Sequence, residues 1–300
     1  MKIGIDLGGM SAKIGLCDGG RLVRSSRVPT SAGTRFEELI GALSKEIDSL
    51  ASEEEYDFVG IASCGLIDSS SGEVVYSNNI PWEHKPFAAE MRRLTGRRAG
   101  IANDAKCAAL AEAVYGAGKG YKRVCLLTLG TGVGGGFVVD GKLPVGSLSA
   151  DADGILGHIV VERNGRECTC GRKGCLEAYA SATAVMRAHE ARTGLALTAK
   201  EIFDGARAGK PAERETVNEF VSYLAEGIAD IVNILRPETV VIGGGLSGAA
   251  DLYLEELSGL VNEKIYGGEF LPVRLAAASL GNDAGMIGAT LLKPCPDITI

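Results

Sequence analysis

Four side chains that favour soft metal ions fall within eighteen residues: His158, Cys168, Cys170 and Cys175. Three thiolates and one imidazole make a closed tetrahedral set of the kind that holds structural zinc. Gly165, Gly171 and Gly174 let so short a segment fold back on a single ion. The competing readings are unrelated thiols beside a surface histidine, or disulfides. Three glycine-rich loops add a second kind of chemistry. Asp6-Leu7-Gly8-Gly9 sits between two apolar runs rather than between a strand and a helix, so the dinucleotide fingerprint does not apply. A turn of this kind presents backbone N–H groups to phosphate oxygens, and the Asp6 carboxylate is then placed to hold Mg²⁺. Thr131-Gly132 with Gly134-Gly135-Gly136 forms a second backbone cradle. Gly243-Gly244-Gly245, after Val240-Val241-Ile242, suits close approach to the flat face of a nucleoside. Loops spread over both halves favour a nucleotide held in a cleft between two lobes. Asn103-Asp104 opens an alanine-rich helix. Asp104 there is either a cap or a general base that takes the proton of an attacking hydroxyl. Asn103 both donates and accepts hydrogen bonds, as a polyol ligand requires.

The elements that must position these residues are legible as apolar runs and punctuation. Lys2–Asp6, Lys13–Cys17 and Arg21–Val28 read as strands, the first two joined as a hairpin. Apolar spacing and an acidic first turn predict a helix over Arg35–Ala51. Phe58–Ser63 and Arg98–Ala102 read as strands, Pro86–Thr95 and Asp104–Tyr115 as helices. Gly116, Gly118 and Gly120 mark a hinge. A second cycle follows: strand Arg123–Thr128, a glycine loop over 130–136 and strand Phe137–Val139. Helices over Glu177–Thr193 and Arg214–Leu235 and a strand over Thr239–Ile242 complete it. The pattern is that of a duplicated α/β unit.

The 300 residues are 46% hydrophobic and 23% charged, the profile of a globular protein of two lobes. A net charge of −7 argues against an extended nucleic-acid surface. Cys17, Cys64, Cys107, Cys125 and Cys295 are isolated, mostly in apolar surroundings, as free thiols are in a reducing cytoplasm. No signal peptide and no membrane-spanning run is expected, which places the chain in the cytoplasm.

At the level of motifs the chain resembles the ROK (repressor, open reading frame, kinase) family of the actin-like and hexokinase-like ATPases. The resemblance rests on Asp6-Leu-Gly-Gly, Asn103-Asp104-Ala105, Leu129-Gly-Thr-Gly-Val-Gly-Gly-Gly136, and above all on Gly157-His158 with Cys168-Thr-Cys170-Gly-Arg-Lys-Gly-Cys175-Leu-Glu177-Ala-Tyr-Ala-Ser181. It implies an α/β fold of two ribonuclease-H-like lobes with a cleft between them. One lobe takes residues 1–117 with the C-terminal segment 282–300, including a helix near Asn282–Leu292, and the other takes 118–281. It also implies an ATP-dependent kinase acting on the 6-hydroxyl of a hexose, glucose first, and a homodimer. Carried over by position, Asp104 is the catalytic base and a sugar contact. Gly65, Asn78, Asn103, His158 and Glu177 meet the sugar. Asp6, Gly8, Gly9, Ser11, Lys13, Thr131, Gly132, Gly243 and Gly244 lie around Mg²⁺–ATP. His158, Cys168, Cys170 and Cys175 bind a zinc ion that does no chemistry but sets the loop carrying His158 and Glu177.

Two positions depart from the family pattern. Ile155 stands where a sugar-gripping Glu is usual, on a segment about two residues longer than the pattern, which carries Asp151 and Asp153 as substitute acids. Met10 replaces a Thr in the first phosphate loop, with Ser11 next to it. Three alternatives follow: an N-acetylmannosamine or other amino-sugar kinase, a non-catalytic sugar sensor, and a repressor. The chain opens directly on the first phosphate-loop strand, which disfavours the repressor's leading helix-turn-helix.

Overall fold

The computed structural model describes residues 1–31, 33–77, 80, 82–144 and 154–296. The chain divides into two compact units, Met1–Tyr115 with Gly141–Asp153 and Asn282–Ile300, and Gly116–Asp140 with Gly154–Gly281.

In the first unit β1 (Lys2–Leu7), β2 (Ser11–Asp18) and β3 (Arg21–Pro29) form an antiparallel meander. Helix α1 (Phe36–Leu50) leads to β4 (Phe58–Ser63), which lies parallel to β1. A small antiparallel sheet of β5 (Leu66–Asp68), β6 (Glu73–Tyr76) and β7 (Glu83–Lys85) follows. Next come α2 (Phe87–Thr95), β8 (Arg98–Asn103), parallel to β4, and α3 (Asp104–Val114). The main sheet therefore runs β3-β2-β1-β4-β8. Ile3, Ile5 and Leu7 alternate into its core with Ala12, Ile14 and Leu16. Phe36, Leu39, Ile40, Leu43 and Ile47 make the buried stripe of α1, and Glu37 and Glu38 suit its positive N-terminal end. Phe36, Trp82 and Phe87 pack edge to face beside it, with centroids 5.2–6.0 Å apart.

The second unit begins with the hairpin β9 (Arg123–Leu129) and β10 (Val133–Val139). Helices α4 (Glu177–Ala180), α5 (Ala182–Thr193), α6 (Ala199–Arg207) and α7 (Pro211–Leu235) precede β11 (Thr239–Gly243), which is parallel to β9. Helix α8 (Leu254–Lys264) then leads to β12 (Arg274–Ala277), parallel to β11, and the sheet order is β10-β9-β11-β12. The same order, a hairpin followed by two parallel strands, occurs in the first unit as β2-β1-β4-β8, as duplication requires. Finally α9 (Ala284–Ala289) belongs to the first unit, where Ala289 packs with Cys107 of α3.

Four details differ from the sequence reading. The glycine run is not all loop: Gly134, Gly135 and Gly136 pair with Thr128, Leu127 and Leu126, and only Gly130–Gly132 turn. The helix expected over 177–193 breaks at Ser181, whose extended backbone lets its hydroxyl cap α5 by accepting from Ala184 N at 3.0 Å. The C-terminal helix is shorter than 282–292, starting at Ala284 after a 3₁₀ turn. Leu143, expected in the second lobe, packs on the Ala62, Ala102, Cys107 and Ala289 cluster of the first unit.

Candidate functional site

Within the first unit, chemistry gathers at the carboxyl ends of β1 and β8. The β1–β2 turn is closed by Gly8 N donating to Ser11 O at 3.0 Å, and the Thr30 hydroxyl donates to Gly8 O at 2.8 Å. Gly9 is half-buried, and Met10 at the tip is 88% exposed, with no hydroxyl to offer. The Asp6 carboxylate is half-buried and pairs with Lys13 Nζ at 3.4 Å. Lys13 Nζ also donates to Asn282 O at 3.0 Å. Burial raises the Asp6 carboxyl above its ordinary range, Lys13 opposes this, and the neighbouring Asp283 adds to it.

Asp104 stands at the first turn of α3. Asn103 is the cap, its Oδ1 accepting from Ala105 N and Lys106 N, while its Nδ2 donates to Gly65 O at 3.2 Å. Asn103 thus performs the capping that was one reading of Asp104. Asp104 Oδ1 accepts from Ala105 N at 2.8 Å. Burial pushes the Asp104 carboxyl up to about 6; the Ala105 hydrogen bond opposes the rise and the Asp6 charge adds to it. Asp283 thus raises Asp6 and Asp6 raises Asp104, and a divalent cation beside these carboxylates would relieve the repulsion. The donor set suits Mg²⁺, with Asp6 as its carboxylate.

In the second unit the soft ligands converge. One ligand atom from each of His158, Cys168, Cys170 and Cys175 lies within 4.8 Å of the others. Cys168 Sγ is 3.5 Å from His158 Nδ1, and the Cys170 and Cys175 sulfurs are 3.7 Å apart. All eight cysteines are free thiols, so the disulfide alternative finds no pair. The loop is a short hairpin: Val160 bridges Cys175, Glu167 bridges Lys173, and Cys168 N donates to Arg172 O at 2.8 Å. Three sulfurs and one imidazole nitrogen at these separations fit tetrahedral zinc.

Glu177, at the start of α4, connects this loop to the β9–β10 turn. Its Oε1 accepts from the Thr169 hydroxyl at 2.7 Å and its Oε2 from Val133 N at 3.0 Å. A carboxylate accepts about four hydrogen bonds, so Glu177 retains capacity for a ligand hydroxyl. A Cβ on Gly132 would lie 2.4 Å from Glu177 Oε2, so any side chain there displaces that carboxylate. Thr131 O accepts from the Thr183 hydroxyl at 2.8 Å. Gly243 pairs in register with Thr128, and Gly244 O accepts from the Ser247 hydroxyl at 2.7 Å.

Each unit thus gathers its own share of the expected residues: Asp6, Gly8, Gly9, Ser11, Lys13, Gly65, Asn103 and Asp104 in the first, and the zinc set, Thr131, Gly132, Glu177, Gly243 and Gly244 in the second. Asn78, Asp151 and Asp153 lie outside the described residues. The sequence reading missed Thr169, the Val133 amide and Asp283. Thr169 sits between two metal-ligating cysteines, which was the available signal. Val133 acts through its backbone and leaves no residue-type signal.

A duplicated α/β fold with a glycine turn in the opening hairpin of each unit is the fold of the actin-like and hexokinase-like ATPases. The ROK family pattern matches residues 2–294, and the chain belongs to that family. It is 36% identical to a glucokinase of Thermotoga maritima, over 96% of this chain and 95% of that one. It is 34% identical to an N-acetylmannosamine kinase of Salmonella typhi, covering 97% of each. Among solved structures, a ROK family glucokinase from Streptomyces griseus in complex with glucose and AMPPNP superposes with a TM-score of 0.81. That pair is 30% identical, over 96% of this chain and 97% of the other.

Proposed function

We propose that the chain is an ATP-dependent sugar kinase that phosphorylates the 6-hydroxyl of a hexose, with glucose as the preferred acceptor. The observation that carries the chemistry is Asp104, a carboxyl desolvated to about 6 at the end of a parallel strand. At neutral pH it is ionised yet basic enough to take a proton. As the sugar oxygen bonds to the γ-phosphorus, Asp104 Oδ accepts the hydroxyl proton and the bond to the bridging oxygen of ADP breaks. Asn103, Gly65, Asn78, His158 and Glu177 orient the sugar. Backbone amides around Gly8, Gly9 and Gly132, with Ser11, Lys13 and Thr131, receive the phosphates, and Gly243-Gly244 receives the nucleoside. Mg²⁺, held through Asp6, supplies positive charge to the phosphate oxygens. Zinc on His158, Cys168, Cys170 and Cys175 shapes the loop and takes no part in the reaction.

The glucokinases among its relatives support glucose as acceptor. An amino-sugar acceptor is the second reading, supported by the N-acetylmannosamine kinase likeness and by Ile155, which makes the pocket less polar. Among the described residues no helix is long and apolar enough to cross a membrane, and a cytoplasmic homodimer completes the proposal. The test is ADP release from ATP with glucose, mannose, N-acetylglucosamine or N-acetylmannosamine. Sugar-dependent release, highest with glucose, is expected. Release highest with an N-acetyl sugar selects the second reading, and no sugar-dependent release overturns the kinase.

A further inference from the structure

Tyr179 lies on α4, two residues beyond Glu177 and four beyond Cys175, and is buried. Its hydroxyl accepts the Arg166 N–H at 2.8 Å. The Arg166 guanidinium lies over the same ring, 4.7 Å from its centroid, and Tyr223 of α7 stacks on that ring at 4.0 Å. Arg166 also pairs with Glu219 of α7, which Arg192 of α5 holds in turn at 2.7 Å. Its carbonyl accepts from Gly174 N at 2.8 Å, next to the ligand Cys175. A Cβ on Gly165 would lie 2.1 Å from the Tyr179 hydroxyl, so the chain passes directly against that oxygen. The backbone two residues before Cys168 is therefore clamped, main chain and side chain, by groups that are not metal ligands.

We propose that Tyr179 is a positioning residue of the zinc loop, keeping Cys168 in register with Cys175 and Glu177 whether or not metal is bound. This rests on the zinc and sugar assignments above. A loop already closed loses less conformational freedom when it takes up an ion, so metal is held more tightly and leaves more slowly. Glu177 shares the short helix α4 with Tyr179, so the sugar contact follows the same clamp. Ordinary core packing would support stability without touching metal exchange.

The experiment measures transfer of zinc from the loaded protein to a chromophoric chelator, well below the melting temperature, alongside KM for glucose. Tyr179→Leu should release zinc about tenfold faster or more, the scale seen when a ligand's supporting group is lost, with glucose KM raised several-fold. Tyr179→Phe, which keeps the ring, should move both in the same direction by less. Gly165→Ala should also speed release, and Gly165→Ala combined with Tyr179→Phe should recover part of the loss, because the hydroxyl is the nearest group the new methyl strikes, with Glu162 Cγ next at 2.8 Å. Should Tyr179→Leu fail to fold, the Gly165→Ala pair gives the answer. Wild-type release rates in Tyr179→Leu, or a double variant no better than Gly165→Ala alone, overturn the proposal. Wild-type protein without zinc, or without sugar-dependent turnover, overturns the functional reading instead, and is scored before any variant.

Discussion

Asp104 carries a cost that its chemistry explains. Its carboxyl titrates near 6 in the fold against an ordinary 3.8, so the folded chain holds the proton more tightly than the unfolded one. Its contribution to stability is thus full below about pH 4, declines as pH rises to 6, and stays lost above. Asp104→Asn should remove that decline and melt no lower than wild type at pH 8, while Asn103 still caps α3. The same variant should lose at least about a hundredfold in kcat, the scale of general-base catalysis. Wild-type kcat/KM should fall below pH 6 as the base is protonated. Full activity in the variant would leave Asp104 without a chemical role. Ile155 poses the opposite case, an apolar side chain, 52% exposed, at the position where the family resemblance expects a sugar-gripping Glu. It opens the 3₁₀ turn Leu156–His158, and its carbonyl accepts from His158 N at 3.3 Å. A carboxylate there gains charge-assisted hydrogen bonds to sugar hydroxyls, so Ile155→Glu should lower glucose KM by about tenfold. An unchanged KM would mean that this turn does not face the acceptor.

At the scale of elements, the β9–β10 turn and the zinc loop act as one body because Glu177 holds both. Gly132→Ala drives a methyl into Glu177 Oε2. Displacing that carboxylate should raise KM for glucose and for ATP together, each on the order of tenfold. A change confined to ATP would show that the turn acts on phosphate alone. Metal analysis should find one zinc per chain, and Cys170→Ser should lower both zinc content and glucose affinity. Chelator-free protein lacking zinc removes that assignment. These loops were largely legible in the sequence, because soft ligands and glycines declare themselves by residue type. Most strands of the two large sheets were legible too as apolar runs, whereas the four-residue edge strand β12, Arg274–Ala277, went unread. The sheet β5-β6-β7 was not legible, since Glu83–Lys85 is polar and short and shows no alternation. Helix α6 announced itself through Thr198 and Glu201, a capping box at its start, and that signal went unread. Gly134–Gly136 misled in the other direction: glycines usually mark loops, but here β9 supplies the pairing that holds them in a strand. The Tyr179 clamp escaped because it joins residues 165, 166, 179, 192, 219 and 223, which only the folded chain brings together.

For the whole molecule, the duplicated architecture explains why the expected site residues divide between two units, each with its own sheet and core. One surface feature is not explained by either core. Ile234 at the end of α7 and Tyr266, Phe270 and Leu271 after α8 are strongly exposed. They share one corner of the second unit: Tyr266 N donates to Asn233 Oδ1 at 2.9 Å, and Arg236 donates to Leu271 O at 2.8 Å. Four large apolar side chains present on the order of 500 Å², about the largest patch a monomer leaves uncovered. A stable dimer buries about 800 Å² on each partner, so under the homodimer proposed above this patch is assigned as the centre of the contact with a second copy of this chain. Tyr266→Asp with Phe270→Asp should convert dimer to monomer in light scattering after size exclusion. The melting temperature measured at low protein concentration should be kept, because neither side chain belongs to the core. A monomeric wild type, or a dimer that survives both charges, would assign the patch to another partner and place the subunit contact elsewhere.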